Sequence, residues 1–412
     1  MDRLPRKLAN LFLILFFAAA LSGLGAAVVR LYGGWSVFAD MHPVLQTACL
    51  LSGVLVYLGF GFNRHLPLRL FLPLFAWLLW DLARWWPLTS FTGTAGELLL
   101  AIAPLLLGVI VLKRNAGSNG GSLLLVPDQF AGPAFSLARL LRFTLTSLLV
   151  LPVLTLLILF SLAGNLLDSS SGGFVQLKAD GLYMTEKVYQ RQEKQIRLAA
   201  MIHLAQPDYY EDLLATIPTR RTLILAEGVS DELGLMERGF SYDGVARALG
   251  LSAQETFPFA GRWITRAQLE RPVAEASNGP DILAADVDLQ QFDPRTVAVL
   301  NALARYVLRG DSLLEGYLAF NRWAQEQMTA ATQQVMMTDL IDKRDRALVA
   351  LFPPALKHYD ILVVPWGALH MKGIEAAVLE QGFTLRDSRQ RRSISFSRLP
   401  YDKLWSYLRG SD

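Results

Sequence analysis

Five long apolar runs within the first 164 residues constrain this chain more than any other feature of it. They fall at 8–29, 43–62, 69–86, 97–112 and 143–163. Runs of that length match a hydrocarbon core about 30 Å thick, crossed by a helix of about 20 apolar residues. Residues 1–164 are therefore expected to form an α-helical polytopic membrane region of about five transmembrane helices, with the lipid bilayer as its partner. The first run follows Arg3, Arg6 and Lys7, a start that a secretory signal shares, but further spans follow and it reads as a retained anchor.

Basic residues set the expected orientation. If the five spans alternate, Arg3, Arg6, Lys7, Arg64, Arg69, Lys113, Arg114, Arg139 and Arg142 share one side, and Arg30 and Arg84 fall on the other. The positive-inside rule then puts the N-terminus in the cytoplasm of a bacterial-type inner or plasma membrane. Five crossings leave everything after residue 164 extracytoplasmic. Asp81 and Arg84 stand three apart before Trp85, Trp86 and Pro87, which reads as an i,i+3 ion pair in an interfacial belt rather than a transport site. No span is dense in polar residues or visibly repeated, which argues against a transporter. The stretch 123–137, broken by Pro127, Gly132 and Pro133, reads as an interfacial loop.

The character of the chain changes at 165–173, where Asp168-Ser169-Ser170-Ser171-Gly172-Gly173 has the composition of a flexible linker. Residues 174–412 are long enough to bury one core as a single domain. The only cysteine, Cys49, lies in the second run, so this domain can neither form a disulfide nor bind a metal through sulfur. A net charge of +3, mixing a basic membrane region with a mildly acidic remainder, gives no reason to expect nucleic acid.

The domain opens on strand patterns at 174–178, 182–189 and 196–202, the first two joined by an Asp-Gly turn. The third ends at His203, after which Pro207 suits the first turn of a helix. An apolar run at 222–226 ends on Glu227, and another at 360–364 leads through Pro365 and Gly367 to His370 and a helix over 374–381. Strands separated by helices indicate an α/β domain with a mixed, partly parallel sheet, which gathers ligands beyond the carboxyl ends of its strands. Helical spacing at 294–308, 313–325 and 329–350 reads as a helical insertion over the sheet, with a further helical pattern at 239–253.

His203, Glu227 and His370 would then share one edge. Two imidazoles and a carboxylate suit zinc, manganese or a similar divalent ion with positions left open for water, a source of hydrolytic nucleophile. Asp286 and Asp288 alternate like an edge strand and are either further ligands or part of a solvated face. Arg344 is placed either to clamp a substrate carboxylate or phosphate or to pair with Asp342 or Asp345. Glu375 reads as a general acid or base or as a solvated helix position, His358 as a surface residue, and Tyr209 as an oxyanion donor or a core residue. Arg386, Arg389, Arg391, Arg392 and Arg398 suit either anionic headgroups or the turns of a solvated hairpin.

On Ile202-His203 through Pro207, Tyr209 and Tyr210, on Leu225-Ala226-Glu227-Gly228-Val229, and on Gly367-Ala368-Leu369-His370 with Gly373 and Gly382, the domain resembles the TraB/PrgY/GumN family and the Tiki metalloproteases. Erythromycin esterase and ChaN-like haem-binding proteins are more distant. The resemblance covers most of residues 174–412 and none of the membrane region. It implies a site built from two Gly-x-x-His turns and a glutamate on an α/β fold, in a membrane-associated and often outward-facing protein. Tiki-like members are metal-dependent peptidases, and TraB and PrgY members limit peptide pheromone activity. His203, Glu227 and His370 are the positions that carry over. Ala200 stands where the first turn usually has glycine, and Arg344-Asp345 where Arg-Asn is common. The expected function is a membrane-anchored, metal-dependent hydrolase of peptides, with His203 and His370 as ligands, Glu227 as ligand or base, and Arg344 as clamp. The alternatives are a non-catalytic binder that sequesters a peptide or haem-like ligand, and a scaffold for the membrane region.

Overall fold

The computed structural model describes residues 3–33, 37–83, 93–118, 120–237, 243–269, 279–307, 313–403 and 405. The chain divides into two compact units, Met1–Asn165 and Leu166–Asp412.

The first unit is helical: α1 (Arg3–Tyr32), α2 (Val37–Phe62), α3 (Leu68–Ala83), α4 (Gly93–Ser118) and most of α5 (Leu137–Ser171). Four of these, α1, α2, α4 and α5, are long and apolar enough to cross a membrane. The third expected span is helical over the 16 residues of α3. Its continuation, with Arg84, Trp85 and Trp86, lies outside the described residues; Asp81 accepts a hydrogen bond from Gln46. Phe12 meets Phe71 and Phe75 of α3 at ring-centroid distances of 5.8 and 5.2 Å, and these rings form the centre of the unit. The stretch before α5 folds back rather than lying free: Leu125 and Phe130 are buried, and Asn10 exchanges two hydrogen bonds with the backbone of Leu125. On α5, Leu145, Leu148, Leu149 and Leu156 are each at least 67% exposed, a row that is stable in hydrocarbon rather than water.

The second unit follows a different logic. Its elements are β1 (Val175–Lys178), β2 (Gly181–Arg191), β3 (Lys194–Met201), β4 (Leu204–Ala205), α6 (Pro207–Ala215), β5 (Thr222–Ala226), α7 (Asp243–Leu249), β6 (Ser252–Ala253), β7 (Arg262–Ile264), α8 (Arg266–Leu269), β8 (Asp281–Ala284), α9 (Pro294–Tyr306), α10 (Leu313–Gln327), α11 (Ala330–Met337), α12 (Arg344–Val349), α13 (Phe352–His358), β9 (Ile361–Gly367), α14 (Met371–Glu380) and β10 (Thr384–Ser395). One turn of π-helix, Thr338–Lys343, joins α11 to α12.

The main sheet runs β1-β2-β3-β9-β5-β8-β7, with β10 against the other edge of β2. β3, β9, β5, β8 and β7 are mutually parallel, whereas β1, β2 and β10 pair antiparallel. This is the mixed, partly parallel sheet expected. Successive residues of the central strands face opposite layers, as the two-residue period of a strand requires. Leu223, Leu225, Leu362 and Val364 enter the larger core with Phe352, Ile374 and Val378, while Ile224, Val363 and Ile282 pack with Ile217 and Phe259 on the other side.

Several expectations need correcting. The polar connector is helical as far as Ser171, with the hydroxyls of Ser169, Ser170 and Ser171 each satisfied by a carbonyl three or four residues earlier. The turn is confined to Gly172 and Gly173, at φ +65° and +81°. Strand, histidine, helix is not the order at His203, since β4 intervenes and pairs with β6. Of the helical pattern at 239–253, α7 is described and the first four residues lie outside the described residues. The arginine-rich tail is an edge strand as far as Ser395: Arg391 is buried against Glu186 and Asp212, Arg389 also pairs with Asp212 and Arg392 with Asp180, while Arg398, in the turn beyond the strand, pairs with Asp208.

Candidate active site

Three loops leave the carboxyl edge of the parallel strands and meet. Glu227 follows β5 directly, Asp286 stands two residues beyond β8, and Gly367-Ala368-Leu369-His370 turns from β9 into α14. The last turn is closed by the His370 N–H donating to the Gly367 carbonyl at 2.9 Å. Arg344 comes from the helical insertion, on the first turn of α12, immediately after the π-helical turn. Such an insertion shifts the helix face by one residue and recurs at functional sites.

The Arg344 guanidinium is the hub. Its Nη2 donates to Glu227 Oε1 and Asp286 Oδ2, both at 2.7 Å, and its Nε donates to Asp286 Oδ1 at 3.0 Å. Nη1 reaches the Leu340 carbonyl at 3.4 Å and His370 Nε2 at 3.1 Å. All five N–H groups of a guanidinium thus have an acceptor in view. Burial, the largest influence on Arg344, lowers its pKa, but the hydrogen bonds and charges of Asp286 and Glu227 outweigh it and hold the pKa above the ordinary value. The partners are themselves fixed by backbone donors. Glu227 Oε2 accepts from Gly367 N–H at 2.6 Å, and Asp286 accepts from Gly228 N–H at 3.0 Å and from Val287 N–H at 2.8 Å.

His370 sits between this hub and Asp345, whose Oδ1 is 2.7 Å from Nδ1. A guanidinium can only donate, so Nε2 accepts from Arg344, and in the neutral imidazole the proton lies on Nδ1, directed at Asp345. Trp366 backs the ring edge-on at a centroid distance of 5.2 Å and anchors its own Nε1–H on the Leu225 carbonyl. Gly373 makes room for Asp345: a Cβ there would lie 2.6 Å from Asp345 Oδ2. None of the side chains of Glu227, Asp286, Arg344, Asp345 and His370 exposes more than 13% of its surface.

The expected residues therefore divide. Glu227, Arg344 and His370 come together. His203, Glu227 and His370 do not form a three-donor group, and among the described residues no three acidic, histidine or cysteine side chains are grouped as a metal site. His203 lies beyond β3 at the same sheet edge with an exposed side chain, its carbonyl accepting from Gln254 N–H. A divalent ion does not fit this arrangement, because the guanidinium of Arg344 fills the position where Glu227, Asp286 and His370 converge and brings its own positive charge. Arg344 pairs with Glu227 and Asp286 rather than with Asp342 or Asp345, so a clamp role falls to Nη1 and requires giving up its contact with His370.

Among the remaining candidates, Tyr209 and Tyr210 donate to the carbonyls of Ala200 and Ile202, at 2.6 and 2.7 Å, and hold the first histidine turn rather than an oxyanion. Burial pushes both phenols well above their ordinary values. Glu375 is neither solvated nor in the centre; Lys187 and Tyr189 hold it. Asp288 is buried, accepting from Ser230 Oγ and from the backbone of Glu232 and Gln290. His358 ends α13, partly exposed, at the strand end opposite the centre. Asp286, Asp345 and Trp366 complete the centre; the alternation around Asp286 and the acid at 345 were visible signals, and Trp366 had none beyond its place before the Gly-x-x-His turn. No family model, curated protein or solved structure matches this chain.

Proposed function

We propose that this is a membrane-anchored hydrolase acting on peptide-like substrates, with its centre in the second unit. The observation that carries the reading is the convergence of Glu227, Asp286, Arg344, Asp345 and His370 from distant chain segments onto the carboxyl edge of the sheet, nearly shut from solvent. Burying such charges is costly and the sheet has no need of them, so their assembly favours chemistry over packing. The resemblance of the Glu227 and His370 motifs to TraB/GumN and Tiki proteins supports the same class.

In this mechanism a substrate carbonyl displaces the Arg344–His370 contact. His370 Nε2 takes a proton from water as the water oxygen bonds to the carbonyl carbon, and Asp345 steadies the imidazolium. Arg344 Nη1, freed from Nε2, donates to the developing oxyanion while Glu227 and Asp286 hold the guanidinium in place. His370 then returns the proton to the leaving nitrogen. We place the N-terminus in the cytoplasm and, with the apolar run at 69–86 as a fifth crossing, the second unit on the extracytoplasmic side.

The test is a peptide-hydrolysis screen of the detergent-solubilised full chain beside His370→Ala. Loss of general-base catalysis lowers turnover about 10²–10⁴-fold, and EDTA leaves the wild-type rate unchanged. Equal rates in the two proteins sink the reading; a rate abolished by EDTA and restored by zinc returns the metal-dependent one. The full occupation of Arg344 favours a second reading, a binder that holds its peptide without cleaving it, for which affinity is measurable and turnover is absent in wild type.

A further inference from the structure

Two open clefts share a wall at Val349 and Ala350. The first, about 710 Å³, has Asp342, Asp345 and Arg346 at one end and reaches Gly373 and Ala377 of α14. The second, about 740 Å³, continues past Pro353 and Leu356 to Gln381 and carries Arg191, Lys194 and Lys357. Positions 373 and 377 share one face of α14 and Gln381, the residue that ends the helix, follows at the same spacing, so the clefts lie end to end along it. At a rise of 1.5 Å per residue they make a trough roughly 12 Å long.

The ends differ in charge. At the first, two carboxylates stand against Arg346, whose Nε is already donating to the Asp342 carbonyl. At the second, Lys194 shares Asp360 with Arg221, and Arg191 and the exposed Lys357 leave an excess of positive charge. Between them the lining is small or apolar. Asp345 belongs to both trough and centre: Oδ1 receives His370, while Oδ2 lies toward Gly373 on the trough side.

We propose that this trough binds a short extended peptide in one direction, its free amino end at Asp342 and Asp345 and its carboxylate at Arg191 and Lys357. An extended chain rises about 3.3 Å per residue, so the trough holds about four residues. Asp345 separates the trough from His370 Nε2, which faces Arg344, so what the trough sets is binding and its direction. The binding direction itself does not need hydrolysis.

Calorimetry on the solubilised full chain, with tetra-alanine, its N-acetyl form and its C-amide as probes, tests the inference. Free tetra-alanine binds, and each cap weakens binding by about three- to fivefold, as expected of an exposed ion pair. Lys357→Glu weakens the free peptide and leaves the amide unaffected; Asp342→Asn weakens the free peptide and leaves the acetylated form unaffected. Both side chains are exposed, so both variants fold. No binding of tetra-alanine, or equal affinity for all three probes, overturns the inference. Oriented binding without cleavage overturns only the hydrolase reading, and cleavage of a doubly capped peptide without end dependence overturns only the orientation.

Discussion

Asp345 is held from two sides, by the imidazole of His370 and by the missing side chain of Gly373, and that makes a glycine in the first turn of α14 informative. Replacing a helical glycine with alanine ordinarily stabilises by about 0.5–1 kcal/mol. Here the added methyl meets Oδ2 at 2.6 Å, and the carboxylate cannot retreat without leaving His370. Gly373→Ala is therefore expected to destabilise the protein by about 1–3 kcal/mol, the usual cost of overpacking. In an Asp345→Ala background the same change is expected to stabilise it. Thermal unfolding of the four proteins checks the reversal of sign, and an unchanged sign removes the packing argument. Residues such as Glu227 and His370 were legible because each follows a strand written as a run of apolar side chains. Asp286 was legible only in part: the alternation after the four-residue β8 marked it as a candidate but did not separate it from a solvated edge. His203 misled because nothing in the four residues from Ala200 to His203 reveals that a two-residue strand, β4, will carry the chain away.

The π-helical turn before Arg344 is the element on which the centre depends. Asp339 ties it to the start of α9, accepting from Thr296 Oγ1 at 2.6 Å and Asp293 N–H at 2.8 Å, with Lys343 at 2.6 Å. Burial, the largest influence, raises the pKa of this carboxyl, but Lys343, Thr296 and the Asp293 N–H together hold it below the ordinary value. A carboxylate depressed in the folded state contributes stability that is complete above its unfolded value, about 3.9, and is lost as pH falls through the folded value. Asp339→Asn is thus expected to melt below wild type at pH 7, with the gap closing below about pH 4. A gap independent of pH removes the ionic part of the tether. The long helices of the insertion were legible from their apolar spacing. β10 was not, because the first seven of its side chains are exposed and the arginines among them hide an edge strand inside an apparently charged tail.

At the scale of the whole molecule, the division into an apolar helical unit and an α/β unit follows from composition alone, whereas the number of crossings does not. Four described helices are long enough, and α3 supplies 16 residues with three leucines exposed or half-exposed toward its end. A reporter enzyme active only outside the cytoplasm, fused after Asp412, is expected to be active; an inactive fusion beside an active cytoplasmic one reverses the proposed sidedness. The order of strands carries one more consequence. β9 lies between β3 and β5 and is hydrogen-bonded to both, yet it is made after every other parallel strand. Until residue 361 onward has left the ribosome, the two halves of the sheet have no common partner, and the turn from Gly367 to His370 that completes the centre does not exist. The second unit therefore stays without its complete sheet through most of its own synthesis.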